Sequence, residues 1–192
     1  WHPTGSILGF TIEDRGRCYY YPYDMETGKC MDRLLVDVEK ITSFSYSDDG
    51  KLMLFFGFKN GQSDIFLYSF MARSIQYITN DIFDDYAPHF IDNQTRIVFS
   101  SNRNHDTLGT KETFYEATPQ NSYDLFVYDY KHKDKMLFRV TNTPYVNETE
   151  AVALQPDELL FLSDGNGTFA MKTITLLDTT LRDGAQGEGM SF

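Results

Sequence analysis

The sequence predicts an all-β fold built from a repeated unit of four short antiparallel strands. Two observations predict it. The chain carries 13 Tyr and 16 Phe among 192 residues, and these alternate with polar residues in short runs, as half-buried strands do. The second observation is self-similarity along the chain, which is the mark of a repeat architecture. Stretches with helical periodicity are scarce.

The repeat is visible in four stretches that share an apolar start, a turn and an alternating strand: 1–10, 44–55, 88–99 and 153–161. Their turn positions, 5, 50, 94 and 157, are separated by 45, 44 and 63 residues. About eighteen extra residues around 104–121 account for the long third spacing. We interpret them as a loop insertion within one unit.

The second unit is the clearest, with strands predicted near 43–47, 51–58, 63–70 and 74–79 and tight Asp-Gly and Asn-Gly turns between them. We expect Phe55, Ile65, Leu67 and Ile78 to be buried there. Such a unit fits one blade of a β-propeller, whose apolar faces are covered when neighbouring blades stack. Residues 1–167 therefore predict a partial β-propeller of about 3.5 four-stranded blades.

The repeats also resemble a known family. The strings Ser47-Asp-Asp-Gly50, Phe99-Ser-Ser-Asn-Arg103, Asp124-Leu-Phe-Val-Tyr-Asp129 and Val140-Thr141 are similar to the TolB-like (PD40-type) propeller family. Asn93-Gln94 departs from the usual Asp-Gly of that pattern. The resemblance implies a non-catalytic bacterial scaffold, periplasmic or secreted, that binds a protein or peptide at the mouth of a central channel and needs no cofactor.

Charge and composition exclude several classes of function. The formal net charge is −11 at pH 7, so a nucleic-acid backbone or an anionic membrane would be repelled. No run of about 18 apolar residues is present to span a bilayer. The chain also lacks a G-x-S-x-G elbow, which argues against the weaker alternative of a region accessory to a propeller-fused peptidase.

Two polar features each leave two interpretations. Cys18 and Cys30 flank a turn-like segment, so a disulfide is conceivable, although two free thiols are the simpler interpretation. The acidic stretches Asp48-Asp49, Asp81–Asp85 and Asp92-Asn93 offer hard oxygen ligands for calcium. They lack the spacing of a calcium loop, and turns require the same residue types, so turn chemistry is favoured.

The C-terminal segment, 168–192, belongs to a different pattern. The run Thr173-Ile-Thr-Leu-Leu-Asp178 predicts a short apolar strand that leads into a polar turn, as at the first strand of a TIM barrel. The string Asp178-Thr-Thr-Leu-Arg-Asp-Gly-Ala-Gln186 resembles the first-strand signature of the citramalate and 2-isopropylmalate synthases. We therefore divide the chain into propeller repeats over 1–167 and a truncated start of an acyltransferase-type barrel over 168–192.

That second resemblance implies an alternative function. Carried over by position, Asp183 would bind a divalent metal, Arg182 would stabilise the enolate of acetyl-CoA, and Gln186 would lie beside the metal. A metal and a guanidinium lower the cost of negative charge on the thioester oxygen. The alternative is a cytoplasmic acyltransferase that uses acetyl-CoA and a 2-oxo acid. The sequence holds no H-x-H pair to complete the metal site, so we expect no activity.

Overall fold

The computed structural model describes residues 1–109, 120–132 and 134–176. These residues form fifteen β-strands in four antiparallel sheets, and no helix occurs among them. The all-β prediction is confirmed. Three of the sheets are meanders in which consecutive strands pair side by side, and in the first sheet the last two strands both pair with the second.

The strands have the following bounds. Sheet 1 holds β1 (Ile7–Asp14), β2 (Arg17–Asp24), β3 (Lys29–Cys30) and β4 (Leu34–Val36). Sheet 2 holds β5 (Lys40–Tyr46), β6 (Leu52–Lys59), β7 (Gln62–Ser69) and β8 (Ser74–Tyr77). Sheet 3 holds β9 (Asp85–Ile91), β10 (Arg96–Ser101), β11 (Asp124–Tyr128) and β12 (Phe138–Arg139). Sheet 4 holds β13 (Glu148–Gln155), β14 (Glu158–Ser163) and β15 (Ala170–Thr175).

Sheet 2 confirms the predicted blade. Its four strands lie where the sequence indicates them, and its turns have the chemistry that the residues predict. Gly50 has φ +67°, and Asn60 and Gly61 have φ +54° and +79°, the left-handed conformations that Asn and Gly tolerate best in tight hairpins. The third unit forms its turn as well, although Asn93-Gln94 replaces the usual Asp-Gly there. Asn93 and Gln94 have φ +50° and +62°.

The sheets stack face to face through three apolar clusters. Cys18, Tyr20 and Val36 of sheet 1 pack against Met53 and Phe55 of sheet 2. The other face of sheet 2, with Leu54 and Ile65, packs against sheet 3, and a third cluster joins sheet 3 to sheet 4. The four positions expected to be buried in the second unit are all buried.

One aromatic position repeats across these interfaces. Phe55, Phe99 and Phe161 each lie on the face turned toward the preceding sheet and are 0 %, 0 % and 5 % exposed. Phe10 lies at the equivalent position of β1 and stacks on Tyr21 at 5.5 Å between ring centroids, but it is half-buried. The outward face of sheet 1 is thus an inter-sheet face, and the described residues place no sheet against it.

The first strand of sheets 2, 3 and 4 is an inner strand: β5, β9 and β13 lie beside one another along the stack. Each has a bulge or register shift near its start, and Ala87 and Glu150 have positive φ there. Sheet 1 differs, because β1 matches the second strand of the other sheets. β3 and β4 both pair with β2 and form two pieces of one outer strand.

The structure also locates two features of the sequence. Residues 170–175, which the sequence pattern assigned to the enzyme-like segment, pair with β14 along its whole length, and Leu176 is buried against sheet 3. Cys18 and Cys30 are free thiols. Cys30 pairs opposite Tyr23, five residues along β2 from Cys18, which is about 17 Å at the rise of a strand and too far for a disulfide.

Candidate interaction surface at the upper end of the sheets

We call the end of the stack at which the inner strands begin the upper end. It carries the loops that lead into the inner strands, residues 37–39, 78–84 and 140–147. It also carries the loops between the second and third strands, residues 15–16, 60–61, 102–123 and 164–169. The predicted insertion lies in the 102–123 connection, of which 102–109 and 120–123 are described. Loops on a rigid scaffold are where binding residues concentrate.

The 102–109 segment is anchored by a guanidinium with no solvent exposure. Arg103 Nη2 donates to both carboxylate oxygens of Asp85, at 2.8 and 2.7 Å. Its Nη1 donates to Asp81 at 3.3 Å and to the Thr107 carbonyl oxygen at 3.1 Å, and its Nε donates to Ser101 Oγ at 2.9 Å. Hydrogen bonds between a guanidinium and a carboxylate are stronger than those between neutral groups, because both partners are charged.

The cluster around Arg103 contains more acid than base. Asp64 at the start of β7 is also buried and accepts a hydrogen bond from Thr79 Oγ1 at 3.3 Å. Burial, together with the nearby charges of Asp85 and Asp81, raises the pKa of Asp64 to about 7. Burial likewise raises the pKa of Asp85, and Arg103 opposes that rise. Arg103 therefore pairs with two carboxyl groups, Asp81 and Asp85, and a third buried one, Asp64, lies close to these two.

A second guanidinium extends the anchor toward sheet 3. Arg139 of β12 donates to Asp106 at 2.9 Å, to Asp124 at 3.0 Å and to the Arg103 carbonyl oxygen at 3.3 Å. Leu137 N also donates to the Asp106 carbonyl oxygen at 2.9 Å. These contacts fix residues 103–108 against the outer part of sheet 3, so this stretch of the upper end is held by the sheets beneath it.

Sheets 2 and 3 share one contact between a Thr hydroxyl group and a backbone amide. The Thr79 hydroxyl oxygen accepts from Ile65 N at 2.9 Å, and the Thr141 hydroxyl oxygen accepts from Leu125 N at 2.8 Å. Each pair ties the start of the third strand to the chain that leaves the outer strand. This explains Val140-Thr141, and Ile78-Thr79 at the matching place in sheet 2, as structural residues.

The inner strands add aromatic and ionisable side chains. Tyr86 of β9 packs edge to face with Tyr123 at 4.7 Å between centroids and touches Phe56 at 6.3 Å. His89 Nε2 lies 4.0 Å from Glu150 of β13, and burial lowers the pKa of His89. The pair is too long for a hydrogen bond.

Charge at the upper end is dominated by carboxylates. Lys59 pairs with Asp37 at 2.7 Å and Lys40 lies 3.9 Å from Glu13, so these cations are already matched. Among the described residues, the exposed acids of this end are Glu13, Asp14, Asp37, Glu39, Asp84, Asp106 and Glu150. A cleft of about 380 Å³ opens there between sheets 1 and 2, lined by Arg17, Leu35, Asp37, Glu39, Lys59 and Asn60 among others.

The described residues offer no group of three or more His, Cys, Asp or Glu side chains placed to hold a metal ion. The acidic turns instead bond to the protein. Asp49 accepts from Ser47 Oγ at 2.7 Å and from Lys51 N at 3.0 Å, which is the turn chemistry that the sequence favoured. Within the same residues there is no helix long and apolar enough to cross a membrane.

The residues that carry the acyltransferase resemblance, Arg182, Asp183 and Gln186, lie outside the described part of the chain. Their roles, and the divalent metal, stay predictions.

Solved structures share this architecture. TolB from Acinetobacter baumannii matches 92 % of this chain over 40 % of its own, with 19 % identity and a TM-score of 0.67. The putative TolB from Agrobacterium tumefaciens matches 91 % over 59 % of its own, with 14 % identity and a TM-score of 0.68. The fold is a TolB-like β-propeller fold.

The tricorn protease, at 15 % identity and a TM-score of 0.55, matches 90 % of this chain over 22 % of its own. The chain spans about two fifths and three fifths of the length of the two TolB structures that it matches. No protein-family model and no curated protein matches it.

Sequence reasoning missed the buried Arg103 cluster. The Asn102-Arg103 dipeptide belongs to the repeat pattern, but the sequence favours its partners Asp81 and Asp85 as turn residues. The available signal was the place of Arg103, two residues after the end of the apolar strand β10. Its partners lie 18 and 22 residues away in sequence, so local pattern could not pair them.

Proposed function

We propose that the chain is a non-catalytic propeller scaffold that binds a protein or peptide partner at its upper end. The observation that carries the proposal is the anchoring of residues 103–108 by Arg103 and Arg139, which supports a rigid polar surface where the inner strands begin. Rigid presentation lowers the entropy cost of binding. Partner binding on loops over a fixed sheet scaffold is a common use of such architectures.

The charge of this surface favours a cationic partner. In the described part of this surface the exposed acids outnumber the cations, and two of those cations are already paired within the chain. Complementary charge steers encounter and suppresses partners of like charge. A peptide or loop rich in Lys or Arg is therefore the expected ligand. The cleft beside Asp37 and Glu39 is large enough to admit one such side chain.

The proposal includes a periplasmic or secreted location, as in the family that the repeats resemble. The acyltransferase alternative would be cytoplasmic, and it depends on Arg182 and Asp183. No observation on the described residues favours it.

The test compares two charge reversals of equal size. One variant carries Glu39→Lys and Glu150→Lys at the upper end, and the matched control carries Asp48→Lys and Asp157→Lys in exposed turns at the opposite end. Fluorescence anisotropy measures the affinity of labelled Lys-rich and Glu-rich peptides of one length, at low and high salt.

We expect the Lys-rich peptide to bind the parent chain and the control with similar affinity. The upper-end variant should bind it about tenfold more weakly, since two attractive charges become repulsive. Equal losses in both variants would mean that net charge alone attracts the peptide and would contradict the proposal. So would the absence of binding by any peptide.

A further inference from the structure

We propose that a cleft between sheets 1 and 2, at the lower end of the stack, binds the carboxylate of an apolar ligand with Arg73 as its counter-ion. The lower end is the end opposite the upper-end loops. The inference goes beyond the proposed function, because this site is separate from the upper-end surface. The ligand is defined by its chemistry, a carboxylate beside an apolar group, as in a free aryl or alkyl acid or at the C-terminus of a polypeptide.

The cleft has the size and lining of a site for a small ligand. Its volume is about 400 Å³, within the range of roughly 300–1,000 Å³ that such sites have. The rings of Tyr20 and Phe70 lie 5.4 Å apart between centroids, and the Tyr20 hydroxyl shares a hydrogen bond with that of Tyr46 at 2.6 Å. An apolar group can therefore pack against two rings that the fold already holds in place. The apolar lining consists of Ile7, Tyr20, Pro22, Met31, Leu34 and Phe70.

A bulge in the outer strand of sheet 1 shapes one wall of the cleft. Met31 N donates to the Pro22 carbonyl oxygen at 2.8 Å, and β4 begins with Leu34 opposite Tyr20. One residue of β2 therefore lies opposite two residues of the outer strand, 32 and 33, which is the arrangement of a β-bulge. Met31 and Leu34, on either side of the bulge, both line the cleft.

The two residues of the bulge differ in where their side chains lie. Arg33 Nη1 donates to Tyr21 Oη at 3.2 Å, and its guanidinium lies 4.3 Å from the centroid of the Tyr19 ring. Tyr19 and Tyr21 alternate with Tyr20 along β2, so they lie on the face turned away from the cleft. Asp32 instead lines the cleft. Its carboxylate opposes an anionic ligand, and the test below uses its removal.

Arg73 stands at a backbone position that favours Gly. It ends the turn between β7 and β8 with φ +50°, whereas Gly28 ends the matching turn between β2 and β3 with φ +68°. The left-handed conformation suits Gly and strains a residue that has a Cβ atom. Sheet 2 therefore carries a guanidinium at a place where sheet 1 has the residue that fits the backbone best.

The guanidinium of Arg73 is available to a ligand. It lines the cleft, and the described part of the chain gives it no ion pair and no hydrogen bond. The other basic side chain of the lining, His2, is held by the Gly50 carbonyl oxygen at 3.2 Å and by Thr4 Oγ1 at 2.9 Å. A guanidinium binds a carboxylate through two parallel N–H···O bonds. Arg73 therefore favours a carboxylate whose apolar part enters the cleft.

The probes are phenylbutyrate and its uncharged amide, together with a short acetylated peptide that ends in phenylalanine, made with a free and with an amidated C-terminus. Calorimetry on the full chain measures their affinities, and NMR of labelled methionine methyl groups locates them. We expect a free carboxylate to bind and its matching amide to bind about tenfold more weakly. The Met31 methyl signal should shift, whereas that of Met136, in the connection between β11 and β12, should not. Binding of phenylbutyrate supports a free acid as the ligand, and binding of the peptide alone supports a chain terminus.

Two Arg residues with left-handed backbone provide matched variants. Arg73→Gly removes the guanidinium at the cleft, and Arg15→Gly makes the same change at an upper-end turn, where φ is +51°. Arg73→Gly should weaken binding of the carboxylate about tenfold and leave binding of the amide unchanged, whereas Arg15→Gly should bind like the parent. Asp32→Asn should strengthen binding of the carboxylate about threefold, since an exposed like charge is lost.

Equal affinity for carboxylates and amides, equal binding by the two Gly variants, or a shift at Met136 without one at Met31 would overturn the inference. So would the absence of binding by both carboxylates. The result is independent of the upper-end proposal, because the variant with Glu39→Lys and Glu150→Lys leaves the residues of the cleft unchanged and should bind the carboxylate like the parent.

Discussion

Truncation of Phe55 tests whether the apolar faces of the sheets are packed as the repeat requires. The Phe55 side chain has no exposure, stacks on Phe66 at 5.1 Å between centroids and lies in the cluster between sheets 1 and 2. Phe55→Ala removes the side chain and leaves a cavity that two rigid sheets cannot close. We expect the free energy of unfolding to fall by about 3 kcal/mol or more.

Phe10→Ala is the matched control, because Phe10 holds the same repeat position on a face that the described residues leave uncovered. Phe10 stacks on Tyr21 at 5.5 Å but is half-buried. Its truncation removes the aromatic pair and part of the buried apolar surface. We therefore expect the free energy of unfolding to fall by about 1 kcal/mol.

The free energies of unfolding of the parent and both variants are compared by urea unfolding, with circular dichroism as the signal. The m-values should agree, so that the difference in midpoint reports stability. A loss below about 0.5 kcal/mol for Phe55→Ala would place this side chain in solvent and refute the packing argument. Equal losses at Phe55 and Phe10 would refute the difference between covered and uncovered faces.

Three further predictions concern the buried charges and the C-terminal motif. Arg103→Met leaves the Asp85 carboxylate buried without its partner and should cost about 3–5 kcal/mol in urea unfolding, whereas the exposed Arg15→Met should change almost nothing. The folded pKa of Asp64 is about 7, above its unfolded value, so this group weakens the fold as pH rises from about 4 to 7. Asp64→Asn should therefore gain about 1–2 kcal/mol relative to the parent between pH 5 and pH 8 in thermal or urea unfolding, and a constant difference would contradict this assignment. Finally, we expect no acetyl-CoA-dependent condensation with 2-oxo acids in the presence of Mg²⁺, Mn²⁺ or Zn²⁺, because one carboxylate does not hold such a metal; thiol release that disappears in Asp183→Ala would contradict it.

Local pattern was sufficient to predict the strands of sheet 2. Alternation of apolar residues and the Asp-Gly and Asn-Gly turns place β5 to β8 close to their observed bounds, because both signals act within a few residues. The burial of Phe55 and Ile65 followed from the same alternation.

The features that the sequence did not predict depend on contacts between residues that are distant in sequence. The sequence alignment placed residue 5 at a turn position equivalent to 50, yet the consequence, that β1 is a second strand with an open edge, needed the pairing of β1 with β2. The partner of residues 170–175 was also not encoded locally. A Thr-Ile-Thr alternation suits any half-buried strand, and packing of Leu176 against sheet 3 identifies the sheet that it joins.

β1 and β6 hold equivalent positions in their sheets. Within the described residues β1 pairs on one side, with β2, whereas β6 pairs on both sides, with β5 and β7. Amide hydrogen exchange of the free chain, read residue by residue, measures this difference directly. We predict rapid exchange at Gly9 and Thr11 and strong protection at the equivalent Leu54 and Phe56, which pair with β5. Protection of Gly9 and Thr11 as strong as that of Leu54 and Phe56 would contradict the pairing of β1 with β2 alone among the described residues.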